Sequence, residues 1–494
     1  MTRPTDRDRL QLIVSHAASG RLPEAVTEAS TISDKAIAIE AWRVIARTKA
    51  NTQRFGAARE ALDSALRLDP GSRELRFERA LFLEQEGRTG EALAELEALE
   101  SAASDSPQLL VQLGRALQFA GRTHDAETKV AAALAMWPTD VALHVLLAEL
   151  LWQRGAGVAA TSAIEAAIER FPGEMKLRLV AADLLRNSGR ADRALALLEP
   201  GLAAAPESPA LLTSIGVLLD DLDRPRDALP LLRAAVSRAR DPSQPKRNLL
   251  PALLRTGAAA EALALADELS ARNPDDQQLI AYRATALRLL GDPRYSRLYD
   301  YGRLVRSYRL QPPAEFPDIA AFNAAFAREL VSLHHASHRP LAQSLRGGTQ
   351  TQRNLPAGNP LVAAFFSMID GPIRDYISRL NDGDAHPVDR RKSASYRIAG
   401  SWSVQLQPGG FHVDHVHPQG WLSSAYYVEL PQVAGSREGW LKFGEPGVRI
   451  GCAAEHFVQP ECGLLVLFPS YFWHGTVPFH EGGRLTAAFD VNPA

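Results

Sequence analysis

The sequence predicts an α+β multidomain protein with an all-α solenoid on its N-terminal side and a jelly-roll domain at its C-terminal end. Two patterns support this: residues 37–291 repeat with a period of 34, and residues after 393 form short apolar or alternating runs separated by Gly and Pro. The length of 494 residues also exceeds what one domain usually holds. The polypeptide should therefore fold as several domains of different class.

The period of the first half is set by alanine and supported by residues of other types. Alanine recurs every 34 residues, at Ala58, Ala92, Ala126, Ala160, Ala194, Ala228 and Ala262. Five residues earlier stands a glycine in most repeats, at Gly87, Gly121, Gly155, Gly189 and Gly257, with Asp223 in place of one. Small residues allow two antiparallel helices to pack closely, and glycine suits the turn between them. The pattern predicts a stack of helical hairpins.

This period and these positions resemble the tetratricopeptide repeat. The resemblance assigns residues 37–291 to the solenoid and residues 1–36 to a degenerate helical repeat or cap. It implies a superhelical groove that binds a protein or peptide partner. Self-association into a homodimer and a simple spacer role are the alternatives.

The 34-residue register stops near Asp292, and two regions of different texture follow. Residues 292–390 contain helical stretches separated by a polar Gly-Gly loop at 346–352, which predicts a helical lead-in. Residues 391–494 have the short, evenly spaced runs of an all-β domain. Barrels and jelly rolls are the folds in which such strands bury one face.

Three histidines of the β region have the spacing of a metal site. His415 and His417 are two residues apart, and alternate residues of a strand point to the same face. His474 lies on a later run and could complete a facial triad, which suits mononuclear non-haem iron because positions stay open for substrate and O₂.

A second pair of ligands is also available nearby. His412 and Asp414 have the same spacing, and they form the His-x-Asp pattern. On one continuous strand the two pairs would face opposite sides, so at most one pair could bind the metal.

The same segments resemble the 2-oxoglutarate/Fe(II) oxygenases, particularly a bacterial group found behind tetratricopeptide repeats. The residues that carry the resemblance are 409–411, 415–421, 423–428, 467–470, His474, 484–486 and the loop at 346–351. The resemblance implies a double-stranded β-helix, Fe(II), O₂ and 2-oxoglutarate as co-substrate, and hydroxylase activity. It assigns Fe(II) to His415, His417 and His474, although His417 stands where the family has a carboxylate. Arg484 and Thr486 would hold the far carboxylate of 2-oxoglutarate.

Two other functions compete with the oxygenase hypothesis. The histidine spacing also resembles cupin-type metalloenzymes that use no 2-oxoglutarate, and a repeat scaffold with a degenerate barrel would need no metal. Arg484 favours the oxygenase, since a guanidinium can bind a carboxylate through two parallel hydrogen bonds.

We also expect the β domain to fold after deletion of residues 1–290.

Composition limits the compartment and the partners. The formal net charge of -2 argues against nucleic acid or a membrane surface bound by bulk electrostatics. The polar start predicts no signal peptide, and the only cysteines, Cys452 and Cys462, predict no disulfide framework. These features lead us to expect a cytoplasmic protein.

Overall fold

The structure is a computed structural model that describes residues 4–52, 54–101, 106–336, 338–351, 354–356, 358–383, 385–431 and 437–494. The chain divides into two compact units, Met1–Leu150 and Leu151–Ala494. The division falls inside the repeats, because the later hairpins share one apolar core with the β domain. The predicted domain limits at 36, 291 and 390 stay predictions.

Helices fill the first part of the chain. The α-helices are α1 Asp6–Ala18, α2 Leu22–Ala29, α3 Lys35–Asn51, α4 Phe55–Leu68, α5 Arg73–Gln85, α6 Thr89–Ser101, α7 Pro107–Phe119, α8 Thr123–Met136, α9 Val141–Gln153, α10 Ser162–Arg170, α11 Met175–Asn187, α12 Ala191–Ala204, α13 Pro209–Asp221, α14 Pro225–Arg238, α15 Ser243–Arg255, α16 Ala259–Arg272, α17 Gln277–Leu289, α18 Arg294–Leu298, α19 Tyr301–Leu304, α20 Ile319–Ser332 and α21 Pro360–Ser378. The strands are β1 Arg306–Arg309, β2 Leu345–Gln350, β3 Tyr396–His412, β4 Leu422–Glu429, β5 Leu441–Phe443, β6 His456–Val458, β7 Leu464–Pro469, β8 His474–Thr476 and β9 Arg484–Pro493.

The predicted helical hairpins are confirmed, and the residue types of the repeat explain their packing. A Cβ atom added to Gly216 would lie 2.6 Å from Leu232 Cγ, so the small residue is what lets α13 and α14 approach each other. Asp223, which replaces the turn glycine, keeps the left-handed conformation with φ +63°. Aspartate tolerates this region better than most residues, so the hairpin survives the exception.

The C-terminal domain contains two antiparallel sheets, as the jelly-roll prediction requires, and they do not join into one closed barrel among the described residues. The larger sheet has six strands in the order β1-β7-β4-β9-β3-β2, and the smaller has three in the order β6-β5-β8. A cavity of about 390 Å³ lies between them, with Val404 and Thr486 from the larger sheet and Leu441 and Thr476 from the smaller.

The predicted helical lead-in is only partly helical, and this is a correction. It contains α20 and α21, but it also supplies β1 and β2, the two edge strands of the larger sheet. The loop predicted at 346–352 is mostly β2, which pairs with β3 through a bulge. A Cβ atom on Gly348 would lie 2.2 Å from Gln405 O, so the pairing of β2 with β3 requires glycine at this position. Because glycine is uncommon inside strands, the sequence pattern indicates a loop here instead of a strand.

Helices cover the outer face of the larger sheet. The Tyr426 hydroxyl of β4 donates to Asn323 Oδ1 of α20 at 2.6 Å, and the Phe365 ring of α21 lies 5.2 Å from the Tyr426 ring. The inner face is thereby left to the cavity. Within the described parts of the chain, no helix has the length and apolarity needed to span a membrane.

Candidate functional site

The three predicted histidines meet at one end of the cavity. His415 and His474 form an isolated β-bridge, with backbone N–H···O distances of 3.0 and 3.1 Å in the two directions. The nitrogen atoms that His415, His417 and His474 can offer to a metal all lie within 4.8 Å of one another. The structure thus brings His474 together with two histidines that lie 59 and 57 positions earlier in the chain.

The local geometry differs from the predicted strand. β3 ends at His412, so His415 and His417 lie in the irregular segment that follows it. His415 and His417 therefore do not alternate along one strand, which corrects the prediction, although the two side chains still converge. The backbone bridge to His474 and the bond from His417 N–H to Ser470 O at 2.9 Å hold the segment instead.

The hydrogen bonds of the rings assign the same tautomer to all three histidines. Nδ1 of His415 lies 2.9 Å from Val413 O, and Nδ1 of His474 lies 2.8 Å from Phe472 O. Nδ1 of His417 lies 2.7 Å from a carboxylate oxygen of Asp490. Each acceptor requires a proton on Nδ1, which leaves the Nε2 lone pair free. His415 Nε2 and His417 Nε2 are 3.3 Å apart, so these lone pairs face each other.

Burial keeps two of these rings neutral. It lowers the pKa of His415 to about 3, and the neighbouring His417 contributes in the same direction. Burial also lowers the pKa of His474 well below its ordinary value, with His415 and His417 adding to the effect. Neutral imidazoles with free Nε2 lone pairs are the form that binds a metal ion. The donor set therefore fits a divalent transition metal.

A buried arginine lines the same cavity. Arg484 and Thr486 lie two residues apart on β9, and both side chains line the cavity, as predicted. Arg484 is 4% exposed; its Nη1 donates to Gly439 O at 3.0 Å, while its Nε has no partner among the described residues. Burial lowers the pKa of this guanidinium.

A tyrosine that was not predicted from the sequence lies beside this arginine. The Arg484 guanidinium is 5.1 Å from the centre of the Tyr427 ring. The Tyr427 hydroxyl is buried and also has no partner among the described residues. A buried arginine nitrogen and a buried hydroxyl that both lack partners fit an anionic ligand group, because a carboxylate could accept from each.

Asp490 is the second residue that sequence reasoning missed. Its carboxylate accepts from His417 Nδ1 and from the Ser423 hydroxyl at 2.7 Å. The signal was available, because 484, 486, 488 and 490 alternate along one strand and share one face. The predicted site residues of this strand ended at Thr486, although Asp490 lies on the same face.

The alternative pair does not converge with His474. Asp414 lies 2.9 Å from Lys442 Nζ, and burial raises the pKa of its carboxyl to about 6. His412 lines the cavity, and its Nδ1 lies 3.0 Å from the Ser344 hydroxyl. Among the described residues, the three-histidine set is the one cluster of potential metal ligands.

His334, outside this site, has a structural role. His334 Nδ1 lies 2.8 Å from Thr349 Oγ1 and its Nε2 lies 3.1 Å from Ser403 Oγ, so this ring pins α20 to the sheet. Burial lowers its pKa to about 4.

The repeats contact the segment that carries His474. The Trp473 indole N–H donates to the Thr285 hydroxyl of α17 at 3.0 Å, and the Trp473 ring lies 5.9 Å from the Tyr282 ring. The residue next to a candidate ligand is therefore packed against the last repeat helix.

Family models match both parts of the chain. One described as "Putative 2OG-Fe(II) oxygenase" matches residues 400–490, and tetratricopeptide repeat models match residues 44–107, 111–174 and 151–215. No curated protein gives a significant match.

Solved structures with detectable similarity fall into the same two groups. A tetratricopeptide repeat protein from Parabacteroides merdae is 14% identical over 50% of this chain and 98% of its own, with a TM-score of 0.36. The viral collagen prolyl hydroxylase of Paramecium bursaria Chlorella virus-1 is 13% identical over 39% and 98%, with a TM-score of 0.28. A Pseudomonas putida prolyl-4-hydroxylase is 18% identical over 40% and 97%, with a TM-score of 0.27. The chain thus carries tetratricopeptide repeats followed by a C-terminal domain of the putative 2OG-Fe(II) oxygenase family.

Proposed function

We propose that this protein is an Fe(II)- and 2-oxoglutarate-dependent oxygenase, acting as a hydroxylase. The observation that carries the proposal is one cavity that holds both a converging set of three histidines and a buried arginine with an unpaired nitrogen. The first group suits a divalent metal, and the second suits a carboxylate. An oxygenase of this class needs both.

His415, His417 and His474 would hold the metal. The family pattern has a carboxylate where His417 stands, which leaves this set of ligands without charge. Asp490 supports the assignment, because its carboxylate lies directly behind His417 and accepts from Nδ1. Such a contact makes the ring a stronger donor and brings negative charge close to the cation.

Arg484, Thr486 and Tyr427 would hold 2-oxoglutarate. The guanidinium and the two hydroxyls can donate hydrogen bonds to the far carboxylate, and the burial of all three side chains strengthens each bond. In an oxygenase the bound metal, O₂ and 2-oxoglutarate together supply the oxidising chemistry, with succinate and CO₂ as by-products. The residues of this chain bind, orient and exclude water.

A protein or peptide is the proposed substrate class. The support is the tetratricopeptide repeats, whose stacked hairpins commonly present an extended binding surface. The repeat helices α11 to α17 also share a core with the domain that carries the site.

Arg484→Gln tests the co-substrate. The purified chain with Fe(II) and O₂ should convert 2-oxoglutarate to succinate. The substitution should weaken 2-oxoglutarate binding by about 2–5 kcal/mol, since it removes one partner of a buried charged pair. Anaerobic calorimetric titration of 2-oxoglutarate into the metal-loaded chain measures this.

The same titration includes a matched control variant and distinguishes the oxygenase from the two alternative functions. Arg309→Gln removes an arginine that is 73% exposed and should change nothing. Iron binding without 2-oxoglutarate binding would indicate a cupin-type enzyme instead. Failure to bind either one would indicate a non-catalytic scaffold.

A further inference from the structure

A row of backbone carbonyl groups runs across successive repeats. Gln153, Asn187 and Asp221 are the last residues of α9, α11 and α13, and they stand 34 positions apart. The last carbonyls of a helix have no partner within the helix, and they carry partial negative charge. The turn after α11 illustrates this, because Gly189 N–H donates to Arg186 O and Arg190 N–H donates to Leu185 O, so neither reaches Asn187 O.

Each of these three carbonyls accepts a hydrogen bond from the C-terminal half of the chain. Gln153 O accepts from His338 N–H at 3.1 Å, and Asn187 O accepts from Arg339 Nη2 at 2.9 Å. Asp221 O accepts from the Arg449 guanidinium. Two of the three donors are arginines, which fits the partial charge of the helix ends.

Residues 338–341 are bound at the first two positions through both main-chain and side-chain contacts. The Trp152 indole N–H donates to Arg339 O at 3.0 Å, and the Arg339 guanidinium lies 5.5 Å from the centre of the Trp152 ring. The His338 ring meets the edge of the same indole at 6.4 Å between centroids. It also faces Gly155, where an added Cβ would come within 3.0 Å of it.

These contacts are of a kind that another peptide could make. Trp152 and Gln153 bind main-chain groups, and the guanidinium of Arg339 donates a side-chain hydrogen bond to Asn187 O. The other hydrogen bonds of that guanidinium go to Pro340 O and Leu341 O, and no carboxylate pairs with it in the described part of the chain. Burial lowers the pKa of Arg339 to about 10, and the guanidinium stays charged at neutral pH.

We propose that the ends of α9 and α11, with the Trp152 ring of α9, form a binding site for arginine-bearing peptides, and that residues 338–341 are its intramolecular occupant. This goes beyond the proposed oxygenase activity and does not depend on it. The chain continues directly from the bound segment to Gln343 and Ser344, which line the cavity. A partner peptide that displaces the segment would therefore loosen one border of the cavity.

A labelled peptide with the sequence of residues 335–342, His-Ala-Ser-His-Arg-Pro-Leu-Ala, tests the site by fluorescence anisotropy. In the wild type the intramolecular segment competes at an effective concentration that is about millimolar for a short link. Arg339→Ala should release it and raise the affinity for the free peptide at least about tenfold. Adding Trp152→Leu should remove the gain, and a peptide with Ala in place of its Arg should not bind.

Arg309→Ala is the matched control, because it removes an exposed arginine elsewhere and should behave as the wild type. Hydrogen–deuterium exchange of the wild-type chain gives a second measurement that needs no variant. Peptide at about millimolar concentration should speed exchange across residues 338–346. Equal affinity of wild type and Arg339→Ala, binding that is indifferent to Trp152→Leu, or unchanged exchange would each overturn the proposal.

Discussion

The helical repeats and the sheet domain are held together by contacts of very different range along the chain. In the repeats, ion pairs join neighbouring helices, as between Arg43 and Glu78, which are 35 positions apart. In the sheet domain, His417 binds Asp490 at a separation of 73 positions, and the Tyr299 hydroxyl donates to Tyr471 O at a separation of 172. Each hairpin therefore depends on its neighbours, whereas the candidate site depends on several distant segments at once.

Helix α17 belongs to both kinds of structure. It continues the 34-residue register, because Gly291 stands at the turn that follows it, 34 residues after Gly257. It also contacts Trp473, and Arg288 Nη1 donates to Gly444 O of the smaller sheet's loop at 2.6 Å. The end of the repeat pattern therefore does not mark the end of the folded unit that carries the site.

The largest expected effect follows from this difference. A chain of residues 151–494 should fold, because it is a compact unit whose large apolar core spans repeat helices and sheet. A chain of residues 291–494 should not, since it lacks Tyr282 and Thr285 and exposes the apolar surface beneath them. This revises the expectation that the β domain folds without residues 1–290.

Circular dichroism melting of the two truncated chains measures the effect. We expect a cooperative transition for residues 151–494 and none for residues 291–494. Equal transitions for both would mean that the repeats near the site are as independent as those of the first unit.

The second effect concerns the three histidines. His415→Ala or His474→Ala should abolish Fe(II) binding at neutral pH, because two remaining imidazoles hold the ion poorly. His412→Ala is the matched control and should retain iron, since its ring is bonded to Ser344 and lies outside the converging set. Metal analysis of the purified variants checks this. Iron retained by His415→Ala and lost by His412→Ala would assign the metal to the alternative pair.

The repeats and most of the strands could be predicted because their signals are local. The 34-residue period and the alternation of β9 depend on residues that are near in sequence, and both appear in the structure. β2 could not be predicted in this way, because its pairing requires Gly348, and glycine in a sequence pattern usually indicates a loop.

The candidate site was predicted only in part, for the same reason. His415, His417, His474, Arg484 and Thr486 lie at motif spacing and were found. Asp490 belongs to the site because it binds His417, which is 73 positions away in the chain. Tyr427 belongs to it because its ring lies beside Arg484, which is 57 positions away. Only the fold shows these pairs.

The third effect tests whether Asp490 acts through His417. Asp490→Ala should lower metal affinity about 10–100-fold, which is the usual effect of losing a partner of a ligating histidine. Asp490→Asn should lose less, because an amide oxygen can still accept from Nδ1. Asp414→Asn is the matched control, because that carboxylate pairs with Lys442 instead. A competition titration with a metal chelator measures all three, and equal losses for Asp490→Ala and Asp414→Asn would contradict the assignment.

The smallest effect compares one contact from each region. Thr285→Val removes the acceptor of the buried Trp473 indole N–H and should cost about 1–3 kcal/mol, the penalty for a buried donor left unpaired. Arg233→Gln breaks a pair with Glu261 between exposed side chains of neighbouring helices and should cost about 0–1 kcal/mol. Urea denaturation of the intact chain, followed by tryptophan fluorescence, gives the shift in denaturation midpoint for each variant.

Thr285→Ser keeps the hydroxyl and should restore most of the lost stability, so the effect can be attributed to the hydrogen bond and not to packing. If both regions respond alike, the packing of α17 against Trp473 contributes no more than an ordinary contact between repeats.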